Sequence, residues 1–492
     1  LELNIKLPMK IFIIALIALT SCQSNIPTGP YFGTGIKIGE VTQSQAIVWV
    51  RLTEMPSRVG NDAPMPIVKY KDLKTGKMIA IKGRPDITPV VQFPDGHTIK
   101  TIQGATPGSQ GKARLKYKVK EEENWIQREW QMVNPKTAFS TQFKLSNLSP
   151  GKEYELLVEA SPLKGDQIST SIKGSFKTAP AKNVAADVNF IVTTGTSYND
   201  VDSDTGYKIY PSSLKLDPDF FVHTGDIVYY DDLGKTEDLA RWHWDRMYSF
   251  PNNIEFHRQV ASYFIKDDHD TWMNDAYPGM KTKFMGEFTY EQGTQIFLDE
   301  VPMGDKTYRT IRWGKDLQIW LPEGRDYRSE NSMPDGPKKT IWGKEQMDWF
   351  KKTVIESDAT FKVVISPTPI VGPDRGSKND NHANIGFQYA GDALRKFIGE
   401  QKNMVTVCGD RHWQYVSKDT KEEVLEFSCG PGSDAHDGGW KQGNLLPEHI
   451  YLNVVGGFLE GIVSRENGKP TLIFRHYDPD GKVLNKYVVD SQ

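Results

Sequence analysis

Three short segments set acid, imidazole and phenol side chains directly after apolar runs, the arrangement expected of residues that hold cations. In the first, Asp219-Phe220-Phe221-Val222-His223 passes into Thr224-Gly225-Asp226-Ile227-Val228-Tyr229. The glycine lets the chain turn sharply and leaves Asp226 at a strand tip, where a carboxylate can bridge two cations. In the second, Ser262-Tyr263-Phe264-Ile265 leads into Lys266-Asp267-Asp268-His269-Asp270, a cluster costly to bury unless cations compensate the carboxylates. In the third, Met404-Val405-Thr406-Val407-Cys408 ends in Gly409-Asp410-Arg411-His412-Trp413. Asp410 and His412, two apart, can turn toward one site as an oxygen and an imidazole ligand. Taken singly, Gly-Asp is an ordinary turn, the acidic run a solvated loop and His412 a structural histidine. Their order and their shared design, an apolar strand followed by ligand-type side chains, point to one metal site.

Such segments need buried strands behind them, because ligand loops in α/β sheets gather at strand carboxyl ends. From residue 181 onward the chain supplies them. Val188-Asn189-Phe190-Ile191-Val192-Thr193 is an apolar strand, and 343–357 places Met347, Phe350 and Val354 at helix spacing. This half reads as an α/β catalytic domain, 181–492. Residues 31–178 instead show short β-type segments, such as Ala46-Ile47-Val48-Trp49-Val50-Arg51, separated by turn clusters such as Asn147-Leu148-Ser149-Pro150-Gly151. That pattern predicts an all-β sandwich of immunoglobulin or fibronectin type over 23–180. Thr178-Ala179-Pro180-Ala181-Lys182-Asn183 reads as the linker. A chain of 492 residues is long for one core, which also favours two domains.

Composition narrows the class further. An apolar fraction of 38% and an aromatic fraction of 11% belong to a folded protein. A net charge of -3 from 60 basic and 63 acidic side chains gives no nucleic-acid-binding or polybasic membrane signature. Met9-Lys10, the apolar run 11–19 and Leu19-Thr20-Ser21-Cys22 read as a secretory segment, 1–22, too short to span a bilayer. Leu-Thr-Ser-Cys resembles a bacterial lipobox. The resemblance implies a diacylated Cys22 and an exported lipoprotein, periplasmic or anchored to the outer membrane or cell surface. Cys408 and Cys429 lie in strand-like runs and could be bridged or be buried free thiols.

The motifs together resemble the alkaline phosphatase D group of the calcineurin-like metallophosphoesterases. The residues that carry the resemblance are Gly225-Asp226-Ile227-Val228-Tyr229, Asp267-Asp268-His269-Asp270, Arg325-Asp326-Tyr327-Arg328 and Gly409-Asp410-Arg411-His412. It implies a hydrolase of phosphate esters, mono- or diester, with two packed mixed sheets flanked by helices behind the β-sandwich. It also implies roles. Asp226 bridges two metals, Tyr229 ligates a ferric ion, Asp268 binds the second metal, and Asp410 and His412 complete the site. His269 sits at the leaving oxygen as catalytic acid, and Arg325, Arg328 and Asn199 are the substrate-binding candidates. The expected metals are Fe3+ with Ca2+, while the oxygen and imidazole donors also suit Zn2+ or Mn2+. One departure stands out: where family members commonly place a serine-cysteine pair at the end of the first catalytic strand, this chain has Thr194-Gly195. Gly195 has no ligand atom, which leaves Thr196, Asn199 or Asp200 to fill the gap, or a different or weakly held metal. The missing ligand motivates the alternative of a hydrolase domain reduced to a binding module, and the ligand types are equally compatible with hydrolysis of a related ester such as a sulfate.

Overall fold

The computed structural model describes residues 29–72 and 74–491. The expected signal segment 1–22 and its Cys22 lie outside the described residues.

Two large sheets face each other. The nine-stranded sheet runs in the order Val483–Val489, Lys469–Tyr477, Phe458–Glu466, Val188–Thr193, Phe220–His223, Ala261–Phe264, Ile36–Gly39, Ala46–Arg51, Ser140–Leu145. The seven-stranded sheet runs Arg309–Trp313, Leu317–Leu321, Phe361–Ser366, Met404–Cys408, Leu425–Cys429, Gln414–Lys418, His449–Asn453. Their central strands are parallel and buried on both faces, as strands without polar alternation must be. Aromatic rings fill the space between them: Phe190 stacks on Phe220 at 5.0 Å, and Phe220 stacks on Trp313 of the facing sheet at 4.8 Å. Each such ring, fully buried, contributes roughly 1.5–3 kcal/mol through removal from water.

Helices cover the outer faces. Glu237–Tyr248, opened by the Thr236 side chain accepting from the Leu239 backbone N–H, and Tyr290–Glu300 pack on the first sheet. Gly343–Ile355 and Gln388–Gly399 pack on the second. Phe350 and Val354 are buried as their spacing predicts, with Met347 partly buried beside them.

The amino-terminal region is all β, with a five-stranded sheet centred on Lys112–Val119 and Glu153–Ser161. This sheet packs on Ile36–Gly39, Ala46–Arg51 and Ser140–Leu145 through Leu115, Leu156, Val158, Val48 and Phe143. Those three strands also extend the catalytic sheet, since Gly39 pairs in parallel with Ser262. Residue 180 therefore marks a change of architecture along the chain and no break in the sheet. Nor is 178–183 a free linker at its start. Thr178, Ala179 and Pro180 are buried, and the Thr178 hydroxyl donates to Ser149 O at 2.7 Å while Ala179 N–H donates to Thr42 O at 3.2 Å. A segment whose backbone groups are claimed by neighbours in this way is a poor hinge.

Candidate metal centre

The three parallel strands Val188–Thr193, Phe220–His223 and Ala261–Phe264 end in register, with Thr193 opposite His223 and His223 opposite Phe264. Met404–Cys408 of the facing sheet ends on the same side, and the Asp410 N–H donates to the Thr194 hydroxyl at 3.2 Å. The four strand ends thus deliver their loops to one place. Close packing of those loops explains the glycines. A Cβ on Gly225 would lie 2.6 Å from Asp267 Cβ, and one on Gly409 would lie 2.3 Å from Thr224 Oγ1. Asp226 (φ 55°) and Asp410 (φ 58°) follow in left-handed backbone, which aspartate tolerates better than most residues.

Asp226 belongs to two groups of donors. Its carboxylate lies with donor atoms of Asp268 and His269, all within 4.8 Å of one another, and equally with Asp267 and Asp410. The Tyr229 hydroxyl stands 3.3 Å from Asp226 Oδ2. His412 is half-buried, and its ring lies 4.2 Å from that of His436. The structure therefore brings Asp226, Tyr229, Asp268, His269, Asp410 and His412 into one centre.

Asp267 joins them and was missed among the sequence candidates, as was Asp231; His436 belongs to a glycine-rich segment, 430–439, that the sequence marks only as a loop able to border the pocket, and Asp200 was named only as one filler for the gap at Gly195. Asp267 carried a signal, its place in the acidic run, whereas Asp231 carried none. The last of that run, Asp270, is structural, because its carboxylate accepts from the Asp267 N–H and the Ile227 N–H, both at 2.9 Å. Nor is the run a solvated loop. Lys266 is fully buried between Glu323 at 2.5 Å and Asp326 at 2.6 Å.

Arg325 is buried and donates from Nε to Asp267 Oδ1 at 2.5 Å, with Nη2 3.8 Å from Asp268 Oδ1. Its Nη1 and Nη2 have no hydrogen-bond partner in the protein. Arg328 donates from Nη2 to Asn331 Oδ1 and Asp380 O at 2.6 and 2.7 Å, and its buried Nε and Nη1 have no hydrogen-bond partner. Asn199 is exposed on the short turn Tyr198–Asp200, and it is Asp200 that reaches inward, to His436 Nδ1 at 2.8 Å. Thr196 is turned toward His223 Nε2 and Ile227 O, both at 3.1 Å. Cys408 and Cys429 are buried free thiols.

The electrostatics fit a cation site. Burial, reinforced by neighbouring carboxylates, pushes the Asp226 and Asp267 carboxyls well above the usual range, and Asp410 rises to about 6 through burial despite the Arg411 guanidinium. Asp226 Oδ1 and Asp267 Oδ2 are buried without any hydrogen-bond partner. Orphaned, crowded carboxylate oxygens are what cations compensate. Burial also holds the His412 imidazole well below its ordinary value, so it is neutral and free to coordinate. At His269 burial opposes protonation, but Asp231, Asp268 and Asp226 outweigh it and hold the imidazolium well above its usual range. Its Nδ1 bonds Asp231 Oδ1 at 2.7 Å, and Arg84 braces Asp231 from the other side at 2.7 Å.

Two packed mixed sheets with a carboxylate-rich centre at the strand ends define a metal-dependent phosphoesterase. A sequence model of the PhoD-like phosphatase family matches residues 190–449, more than half of the chain, and the chain belongs to that family. It is a phosphoric ester hydrolase, acting on a phosphate ester substrate. Among solved structures, that of PhoD is similar with a TM-score of 0.70 and 16% identity, over 94% of this chain and 90% of that one. Purple acid phosphatase PPD1 from yellow lupin (Lupinus luteus) seeds is similar with a TM-score of 0.60 and 12% identity, over 92% of this chain and 74% of that one. Both likenesses are of fold. No curated protein matches the chain.

Proposed function

We propose that this hydrolase is an exported, lipid-anchored phosphomonoesterase or phosphodiesterase working with two metals, a ferric ion beside calcium, with zinc or manganese as the exchangeable alternatives. The observation that carries the two-metal reading is the sharing of Asp226, which groups with Asp267 and Asp410 and separately with Asp268, beside the Tyr229 hydroxyl. Tyr229 beside Asp226 favours ferric iron there, and the all-oxygen set of Asp226, Asp267 and Asp410 suits a hard cation such as calcium. Bound there, the metals would clamp phosphoryl oxygens, offset developing charge and make water a stronger nucleophile at neutral pH.

The chain's own residues do the rest. His269, with Nδ1 tied to Asp231, has Nε2 free to hold a proton for the leaving oxygen. Arg325, fixed through Nε, offers Nη1 and Nη2 to a phosphate oxygen. Arg328, fixed through Nη2 to Asp380 O, has Nε and Nη1 left over as a second cationic contact for the substrate. Export and anchoring rest on the Leu19-Thr20-Ser21-Cys22 sequence.

Assays on p-nitrophenyl phosphate and bis(p-nitrophenyl) phosphate, before and after reconstitution with each metal, test the chemistry. Absence of metal-dependent hydrolysis of both would reject it. For the anchor, Cys22→Ala should move the protein from the membrane to the soluble fraction with specific activity unchanged. Continued membrane fractionation would reject the lipid.

A further inference from the structure

The position of Gly195 is bordered by a histidine from another loop. Gly195 lies in left-handed backbone (φ 54°), and a Cβ built on it would point at His436 Cδ2, 3.3 Å away, and at His412 Cδ2, 3.6 Å away. The space that a side chain at position 195 would occupy is therefore bordered by the His436 ring. The loop bearing His436 is firmly attached. Thr194 forms a parallel bridge with Pro431, Gly432 N–H donates to Gly195 O at 3.0 Å, the Ser433 hydroxyl donates to Asp200 O at 2.6 Å, and Gly438 N–H donates to His412 O at 3.0 Å.

Within that frame the imidazole is oriented as metal ligands are. Its Nδ1 donates to Asp200 Oδ2 at 2.8 Å, which leaves the lone pair on Nε2. Nε2 accepts from the Tyr229 hydroxyl at 2.7 Å, and that hydroxyl is 3.3 Å from Asp226 Oδ2. Donor atoms bound to one cation by bonds of about 2.0–2.2 Å are themselves about 2.8–3.6 Å apart, so the two spacings from the Tyr229 hydroxyl are close to those between neighbouring ligands of one cation. A proton now sits between phenol and imidazole where a cation would draw both.

We propose that His436 is a metal ligand through Nε2, with Asp200 as its positioning residue, sharing one cation with Tyr229 and Asp226 and taking the place that Gly195 leaves without a donor. The inference rests on the two-metal reading above and deepens it. An imidazole in place of a thiolate makes the site less soft, so it would hold zinc or manganese as well as iron.

The test compares wild-type protein with His436→Gln, His436→Ala and Asp226→Asn, using the metal that purified wild-type protein carries. Chelator competition with that metal alone gives affinity, X-ray absorption at its edge counts imidazole ligands, and circular dichroism checks the fold of each metal-free variant. Wild-type protein should show at least one more imidazole on the metal than His436→Gln, and His436→Gln and His436→Ala should each bind at least about tenfold more weakly. In the His436→Ala background, Gly195→Cys should restore affinity and add a sulfur scatterer. An unchanged imidazole count and affinity in both His436 variants, while Asp226→Asn loses the metal, would overturn the ligand and leave the two-metal reading standing. Wild-type protein that takes up no metal would overturn both.

Discussion

Replacing Asp226 with asparagine should move stability and activity in opposite directions. The position is in left-handed backbone at φ 55°, which asparagine accepts, and the side chain is nearly isosteric, so the fold should persist. In the metal-free protein the carboxylate is 2% exposed, crowded by Asp267, Asp268 and Asp270, and its Oδ1 has no partner. Keeping such a carboxyl in the folded chain at neutral pH, ionised among other carboxylates or protonated against its ordinary range, costs about 1–3 kcal/mol, a cost the neutral amide of Asp226→Asn does not carry. With 492 residues and an unfolding entropy of about 2 cal/mol/K per residue, the entropy is about 1 kcal/mol/K, so the metal-free Tm should rise by about 1–3 °C. Metal at about 100-fold over Kd stabilises wild-type protein by about 2.7 kcal/mol, or about 3 °C on the same scale. The variant should show little of that rise, and its hydrolysis should fall by at least about 10³-fold. Calorimetry with and without metal, beside a nitrophenyl phosphate assay, reads all three effects. A wild-type metal shift or wild-type turnover in Asp226→Asn would refute the bridging role.

Asp231→Asn should lower kcat by about 10- to 100-fold with metal content unchanged, because it unties His269 Nδ1 while the donor set stays in place; an unaltered kcat would remove Asp231 from the reaction. Acid should destabilise the fold through two buried neutral histidines away from the metal centre. Burial holds His476 down to about 4 and, with Arg395 and Arg328, His382 down to about 3. Below about pH 6.5 the unfolded chain takes up protons that these rings in the folded chain refuse, so stability falls with pH until each folded value is reached. For His476 the loss by pH 4 is about 3 kcal/mol. Urea midpoints between pH 7 and 4 should therefore drop less in His476→Gln than in wild type, and parallel profiles would contradict the assignment.

Much of the centre was legible in the residue order because each element is local. An apolar run followed by Gly-Asp encodes both the strand and the turn that ends it, which is why Asp226, Asp268, Asp410 and His412 stand out from the order of residues alone. Glycine at 225 and 409 was legible as a turn former, but its tighter reason, contact with Asp267 and with Thr224, belongs to the packed loops. What the tertiary structure decided are the partnerships between distant segments. Tyr229 and His436 are 207 positions apart, and Asp231 and His269 are 38 apart, with no periodicity linking either pair. The same holds for the two arginines. One motif carried both, yet it is Arg325 that bonds the Asp267 carboxylate directly, while the Nη2 of Arg328 is taken by Asp380 O and Asn331. Local sequence sets which residues end a strand, whereas the choice of neighbour across two facing sheets depends on how those sheets pack, and that is a property of the whole core.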